Sequence, residues 1–281
     1  AVQICCWGQA PVLLQLLRGA GLRGLSAMPA RAVLGPGLHL RPMLGLTRRA
    51  LEAYCREAGL GWVEDPMNGP DGSDRGYLRA RVTPALADRW PAAARSASRT
   101  ARHLAEAQGL LDDLAAADAA TVADGACLRV APLAGLSRPR QANLLRWWLR
   151  GQGLGAPSTA RLEACLRQML DAREHALPVV RWPRGEIRRW RGRLYAMRPM
   201  PATAPGPWAF GPEAECSVPG VGRVVLAPVR GEGLDPGRLD ASLRLQLRHG
   251  GERIQLAGLA RPAPLDELFR KSGVPPWIRD R

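Results

Sequence analysis

The stretch RWPRGEIRRWRGRLYAMR, residues 181–198, says most about the organisation of this chain of 281 residues. Strands are predicted over residues 178–197, with a hairpin turn at Arg191-Gly192. The stretch 181–198 holds seven arginines against one acid, interleaved with two tryptophans and a tyrosine. Guanidinium groups pair with phosphates and aromatic rings stack on unpaired bases, which favours a nucleic-acid partner. Because alternate strand residues point inward, the other interpretation is a core of aromatic rings with arginines on a solvated face.

Amphipathic helices are predicted before this stretch. A helix capped by Ser137 is expected to bury Leu144, Leu145 and Trp148 on one face. Further helices are predicted over 11–18, from Thr47 to Gly59, over 77–89, over 95–123 and after Ser158. The Pro-rich residues 198–207 are predicted to form a linker. Short strands over 215–218, 223–227 and 243–247 and a helix near 264–272 are predicted to follow it.

The composition is that of a basic globular protein. Hydrophobic residues make up 46% of the chain, and 40 basic residues against 25 acidic ones give a formal net charge of +15. Such a charge favours a polyanionic partner, with nucleic acid first and an anionic membrane second. The sequence has no apolar run long enough for a membrane span, no recognisable signal peptide and six scattered cysteines. We therefore expect a cytoplasmic protein with reduced thiols and no membrane partner.

Isolated motifs give weaker indications. Residues 19–24, GAGLRG, match the spacing of a dinucleotide-binding motif, but they follow a predicted helix, so a helix C-cap is the favoured interpretation. The one lysine, Lys271, is not part of a Walker-type phosphate loop. The histidines and cysteines lack metal-ligand spacing, and no metal site is predicted from them. The pair Glu64-Asp65 offers acid–base chemistry, although such a pair before a proline is more often part of a turn.

Four stretches carry a family resemblance when they are taken together. They are QAPVLLQLLRGAGLRGL (9–25); RPMLGLTRRALEAYCREAGLGWVEDPMN (41–68) with YLRARV (77–82); LSRPRQANLLRWWLRGQGLGAPS (136–158) with IRRWRGRLYAM (187–197); and LRHGGERIQLAG (247–258) with LDELFRKSGVPPWIRDR (265–281). In this order they resemble the tRNA(Ile)-lysidine synthetase family of N-type ATP pyrophosphatases. The resemblance implies an α/β remnant of a nucleotide-binding domain at 1–90, a mostly helical α+β tRNA-binding domain at 91–200 and a truncated α+β C-terminal domain at 207–281.

The resemblance also implies a reaction. It is the ATP-dependent ligation of free lysine to C2 of the wobble cytidine in a tRNA(Ile) with a CAU anticodon, which forms lysidine. ATP is the expected co-substrate, with Mg²⁺ as its metal, and basic side chains would stabilise the phosphate charge. A homodimer is an expected assembly.

The sequence departs from the family at its beginning. The Ser-Gly-Gly-x-Asp-Ser phosphate loop is absent, and Trp7-Gly8 and Pro11-Val12 replace the acidic residues and the Glu-Thr pair that flank Gln9-Ala10 in the family. Ala80 also stands where the family has an asparagine between two arginines. We therefore expect a fragment that lacks the N-terminal ATP-binding loop, is inactive alone and leaves its catalytic residues unknown. The alternative is a non-catalytic tRNA- or RNA-binding remnant.

The resemblance assigns candidate residues to two kinds of site. Those expected beside ATP and lysine are Arg18, Gly19, Gly21, Arg79 and Arg81, with the last two on ATP phosphates. Those expected to contact tRNA are Arg138, Arg140, Asn143, Arg146, Arg188 and Arg189 in the middle domain, and Arg248, Gly250, Gly251, Arg253, Lys271 and Arg279 in the C-terminal domain.

Overall fold

Helices and short antiparallel strands alternate along the chain, which confirms the expected mixture of helix and sheet. The computed structural model describes residues 9–26, 29, 31–34, 37–44, 46–63, 69, 72–173, 175–204, 206–211, 215–227, 229, 235, 237, 243–256 and 261–279. The departures at Trp7-Gly8 and the Glu64-Asp65 pair lie outside the described residues. Among the described helices, none is both long and apolar enough to cross a membrane.

The elements fall into two compact units, residues 1–120 and 121–281. The helices are α1 (Gln9–Leu17), α2 (Leu22–Leu25), α3 (Arg48–Glu57), α4 (Asp74–Tyr77), π1, a π-helix (Leu78–Val82), α5 (Thr83–Arg89), α6 (Ala93–Val122), α7 (Val130–Ala134), α8 (Arg138–Gly151), α9 (Thr159–Leu170), α10 (Leu265–Lys271) and α11 (Pro276–Arg279). The strands are β1 (Arg31–Leu34), β2 (Gly37–Leu40), β3 (Ala123–Asp124), β4 (Cys127–Arg129), β5 (Val179–Trp182), β6 (Gly185–Trp190), β7 (Arg193–Met197), β8 (Trp208–Phe210), β9 (Cys216–Val218), β10 (Gly222–Val224), β11 (Leu243–Leu245), β12 (Arg253–Ile254) and β13 (Ala263–Pro264).

In the first unit, the helix signals of the sequence act as predicted. The Thr47 hydroxyl accepts a hydrogen bond of 3.1 Å from the backbone N–H of Ala50 and so caps α3. Gly59, at φ 64°, follows the end of that helix, where a left-handed residue is needed. The β1–β2 hairpin was missed, because the sequence indicated only a turn-rich stretch there.

The second unit is built on a five-stranded antiparallel sheet in the order β3-β4-β7-β6-β5. The predicted hairpin turn between β6 and β7 is confirmed, since Trp190 pairs with Arg193 across it. Arg191 at φ 47° and Gly192 at φ 68° are its two central residues. Two positive φ angles in a two-residue loop match the right-handed twist of the flanking strands.

Helices α8 and α9 supply nearly half of the buried hydrophobic residues of this unit. Leu144 and Leu145 are fully buried, and Trp148 is 5% exposed, as the helical spacing predicts. The indole N–H of Trp148 donates to the carbonyl of Ala126 at 3.2 Å, so the one polar atom of that ring is satisfied. Helix α9 packs on α8 and β6.

Small hairpins and two helices complete the chain. Strand β9 and helix α10 match the strand predicted at 215–218 and the helix predicted near 264–272. Strand β8 and helix α11, of three and four residues, were missed. Periodicity over so few residues is a weak signal, which was recognised for β9 but not for these two. The predicted domains 1–90, 91–200 and 207–281 divide the chain more finely than the two compact units and stay a prediction.

Candidate functional site

A cavity of about 840 Å³ opens in the first unit. That volume is in the range of small-molecule sites, roughly 300–1,000 Å³. Helix α1 forms one wall, and the segment from residue 72 through α4 and π1 forms the other. The lining residues are Leu14, Leu17, Arg18, Gly72, Ser73, Asp74, Tyr77, Leu78 and Val82. Arg18 is the one predicted site residue among them.

The glycine motif at 19–24 shapes the rim of this cavity as a helix end. The N–H of Ala20 donates to the carbonyl of Gln15 at 2.9 Å, and the N–H of Gly19 donates to that of Leu16 at 3.0 Å. With Gly19 at φ 66°, this is a Schellman ending of α1. Gly21 then precedes α2 as its N-cap residue. The C-cap interpretation is confirmed, and it explains how Arg18 comes to the mouth of the cavity.

Arg18 and Asp74 face each other across the cavity mouth. Their Nη2 and Oδ2 atoms are 3.4 Å apart, and the side chains are 58% and 75% exposed. An ion pair this exposed contributes about 0–1 kcal/mol, because water screens it. A bound anion can therefore draw the guanidinium away from Asp74 at little cost.

The predicted arginines 79 and 81 lie on π1, the inner part of which lines the cavity. Leu78, the first residue of π1, is 5% exposed and anchors it, whereas Arg79 and Arg81 are exposed and do not line the cavity. Helix α1 packs against π1 and α4, so the structure brings Arg18 near the segment that carries both arginines. Single-turn π-helices occur often at functional sites. Sequence reasoning missed Ser73, Asp74 and Tyr77, although Ser73 has the form of an N-cap just before the 77–82 motif.

Several arginines predicted to bind tRNA have partners inside the second unit. Arg138 donates from Nε to a carboxylate oxygen of Glu163 and from Nη2 to the carbonyl of the same residue, both at 2.9 Å. It therefore ties the start of α8 to α9. Asn143 and Arg146 are half-buried on α8, and Arg140 is exposed.

Arg188 and Arg189, neighbours on β6, both bond to groups within the second unit. Arg188 donates from Nε to Glu186 at 2.8 Å, and Arg181 donates to the same carboxylate at 2.9 Å. Burial acts to raise the pKa of Glu186, which is 1% exposed, but the hydrogen bonds and charges of Arg188 and Arg181 prevail and hold it below its ordinary value. Arg189 donates from Nη1 to the carbonyls of Met169, Leu170 and Ala172 at 2.7, 3.3 and 3.0 Å, and so caps the end of α9. The tRNA contacts expected of these arginines stay a prediction.

The C-terminal candidates also make local contacts. Arg248 bonds Asp266 at 2.7 Å, and Arg279 donates to the carbonyl of Val274 at 2.9 Å. Arg253 donates to the carbonyl of Pro262, and Lys271 pairs with Glu267 at 2.8 Å, one turn away on α10. Gly250 and Gly251 adopt φ 89° and 82° in the loop before β12, a region that disfavours residues with a Cβ.

Comparisons with known proteins match three separate parts of the chain. Family models described as a PP-loop domain, a TilS substrate binding domain and a TilS substrate C-terminal domain match residues 10–86, 128–195 and 243–281. The chain therefore has the parts of a PP-loop ATP-binding protein that carries substrate-binding domains.

Similarity to individual curated proteins narrows this class to one family. The chain is 45% identical over 278 residues to the tRNA(Ile)-lysidine synthase of Alkalilimnicola ehrlichii, 40% over 276 to that of Methylococcus capsulatus and 43% over 285 to that of Ralstonia nicotianae. Each match covers 96% of this chain and 61%, 63% and 60% of the relative, so the chain spans about three fifths of the length of these curated relatives. The chain is thus similar over nearly its whole length to curated tRNA(Ile)-lysidine synthases, the family that its sequence resembles.

Proposed function

We propose that this chain is the larger part of an enzyme that ligates lysine to C2 of the wobble cytidine in a tRNA(Ile) with a CAU anticodon. The observation that carries the proposal is that this chain matches, in order, a PP-loop domain, a substrate binding domain and a substrate C-terminal domain, and resembles relatives named tRNA(Ile)-lysidine synthase. The net charge of +15 supports a polyanionic substrate. We place the reaction in the cytoplasm and leave the homodimer as a prediction.

The proposed reaction proceeds in two steps. The C2 oxygen of cytidine bonds to the α-phosphorus of ATP, and the bond to pyrophosphate breaks. The amine of lysine then bonds to C2 and loses a proton, and the C2–O bond breaks to release AMP. Activation is needed because the C2 carbonyl oxygen alone is a poor leaving group.

The cavity of the first unit is our candidate binding site for ATP and lysine. Arg18 at its mouth and Arg79 and Arg81 on π1 are guanidinium groups that would hold phosphate oxygens. Gly19 and Gly21 position Arg18 by ending α1 and starting α2. Mg²⁺ bound with ATP would neutralise further phosphate charge.

We propose that tRNA binds to the second unit. Arg140, Asn143 and Arg146 on α8 are candidates there, together with Arg138, Arg188, Arg189, Arg248, Gly250, Gly251, Arg253, Lys271 and Arg279. Candidate residues whose side chains already bond within the protein would act mainly by shaping the tRNA-binding surface. A positively charged surface of this kind also steers a polyanion toward the protein.

The test is ATP-dependent transfer of labelled lysine to tRNA. The chain is assayed alone and joined to the part of the Alkalilimnicola relative that the match leaves uncovered. We expect label on a transcript with a CAU anticodon, none on a UAU transcript, and activity only in the joined protein. Arg81→Gln is expected to lower the rate more than Arg56→Gln, its matched control on α3. A joined protein that binds tRNA but transfers no lysine would favour the non-catalytic remnant instead.

A further inference from the structure

A second arginine-rich surface lies on the first half of α6. Arg95, Arg99 and Arg102 are exposed, and their spacing puts them on one face of the helix over about 10 Å. The sequence has no acidic residue between Asp88 and Glu106. We call the three arginines the α6 stripe. It is a concentration of positive charge with no acidic residue between its first and last arginine in the sequence.

Helix stability does not account for the α6 stripe. Arg95 lies in the first turn of α6, where the helix dipole favours acidic residues, and that turn has none. Arg95 and Arg99 are like charges at i, i+4, a spacing that destabilises a helix. Within the described part of the chain, no hydrogen bond or ion pair joins any of the three arginines to another residue. A negative partner from outside the chain would remove this repulsion.

An aromatic side chain stands at the start of the same helix. Trp90 is 57% exposed, and the guanidinium carbon of Arg89 lies 5.8 Å from its ring centroid. The backbone N–H of Ala93, the first residue of α6, donates to the carbonyl of Trp90 at 2.9 Å. The backbone of Trp90 is therefore fixed about one turn before the α6 stripe. An exposed tryptophan next to a guanidinium group suits a base stacked beside its phosphate.

Acidic residues limit the α6 stripe at its C-terminal end. Glu106 lies on the same face of α6, one turn beyond Arg102, and pairs with His103 at 3.6 Å. Asp113 follows on that face two turns further along. The basic surface thus covers only the first half of the helix.

We propose that the α6 stripe and Trp90 form a binding surface for the RNA backbone, with arginines on phosphodiesters and the indole on an unpaired base. The inference rests on the proposed function, because that function supplies a tRNA as the polyanion. An anionic membrane would accept both the arginines and an indole at its interface, but the proposed function supplies an RNA and no membrane. RNA is therefore the partner that the observations favour.

The experiment compares two triple variants that lose the same charge. R95Q/R99Q/R102Q removes the stripe, and R48Q/R49Q/R56Q removes three exposed arginines from α3, where Glu52 pairs with Arg48 and Arg56. Binding of the 281-residue chain to a tRNA transcript is titrated against salt. The observed log K falls with log[salt] by about 0.7–0.9 per neutralised phosphate. We expect the stripe variant to reduce that slope by about 2–3, and the α3 variant by less than about 1.

Further arms separate the alternatives. R95K/R99K/R102K is expected to keep the slope, and Trp90→Ala to weaken binding to a single-stranded RNA without changing the slope. An equal reduction of the salt slope in the two glutamine variants would overturn the inference, because the overall positive charge of the chain, and not the α6 stripe, would then account for binding. Tighter binding to phosphatidylserine vesicles than to tRNA would overturn it too. If stripe-dependent binding is found but the joined protein forms no lysidine, the inference stands and the proposed function fails.

Discussion

The two arginine-rich regions of this protein use their charges in opposite ways. In 181–198, five arginines bond to a carboxylate or a carbonyl of the same unit: Arg181, Arg188, Arg189, Arg191 and Arg193. In the α6 stripe, the guanidinium groups are exposed and have no such described partner. The difference teaches that arginine density in the sequence does not separate a scaffold from a binding surface. The partners around each guanidinium make that distinction.

The aromatic residues of 181–198 also serve the scaffold. Trp190 and Tyr195 both pack edge to face against Trp277 of α11, with centroid distances of 6.3 and 5.2 Å. The guanidinium of Arg188 lies 5.3 Å from the Trp277 ring, and Arg191 donates to the carbonyl of Arg270 at the end of α10 at 2.7 Å. The hairpin therefore holds the two C-terminal helices in place.

The largest effect is expected when the buried carboxylate of 181–198 is neutralised. Glu186→Gln keeps the shape of the side chain but leaves Arg188, 15% exposed, without its counter-charge. Removing one partner of a buried pair costs about 3–5 kcal/mol, and the exposed position of Arg181 favours the lower end. Urea unfolding should show a free energy of unfolding lower by about 3 kcal/mol. The control Glu106→Gln, at an exposed site on α6, should stay within about 0.5 kcal/mol.

The pH dependence of stability should follow from the same residue. The pKa of Glu186 is lowered in the folded protein, so the folded state binds its proton less readily than the unfolded chain does. Its contribution to stability is complete above the unfolded pKa and is lost as the pH falls through the folded one. Between neutral pH and acid, wild type should therefore lose more stability than Glu186→Gln. Parallel curves for the two proteins would contradict this.

A smaller loss is expected at Arg189. Arg189→Ala removes the donor that three carbonyls at the end of α9 share, and hydrogen bonds from a charged group are worth about 1.5–3 kcal/mol. We expect a loss of about 2 kcal/mol in the free energy of unfolding, and a larger effect on stability than on the salt slope of tRNA binding. Arg198→Ala, at an exposed arginine just after β7, is the matched control and should stay within about 0.5 kcal/mol.

The smallest effect, with the opposite sign, is expected on α6. Arg99→Gln removes a like charge four residues from Arg95, and such a pair costs an isolated helix about 0.2–0.5 kcal/mol. The variant should be as stable as wild type or more stable by up to about 0.5 kcal/mol. Thermal and urea unfolding measure the change. A clear loss of stability would mean that Arg99 has a structural partner, which would remove the contrast between the two regions.

Sequence reasoning predicted the long and amphipathic parts of the fold. The α8 face with Leu144 and Trp148, the Thr47 cap of α3 and the Arg191-Gly192 turn are confirmed, because periodicity, caps and turns are encoded within a few residues. Sequence reasoning did not find π1, since a wider helical turn depends on packing around Leu78 rather than on local propensity.

The candidate site was predictable only in part for the same reason. The family resemblance pointed to Arg18 and to the 77–82 segment, which do meet at one cavity. It could not indicate that Arg189 would cap α9, because its acceptors are carbonyls seventeen or more residues earlier in the chain. The α6 stripe carried a signal in its spacing and in the absence of acids, but only exposure separates such a stripe from an ordinary solvated face.

Chemical modification of arginine tests the contrast between the two regions most directly. The chain is treated with phenylglyoxal with and without tRNA, and modified peptides are quantified by mass spectrometry. Arg95, Arg99 and Arg102 should react in the protein alone and become protected by tRNA, whereas Arg188 and Arg189 should react little in either state. Strong reaction of Arg188 and Arg189 that tRNA suppresses, with α6 unaffected, would contradict the division between scaffold and binding surface.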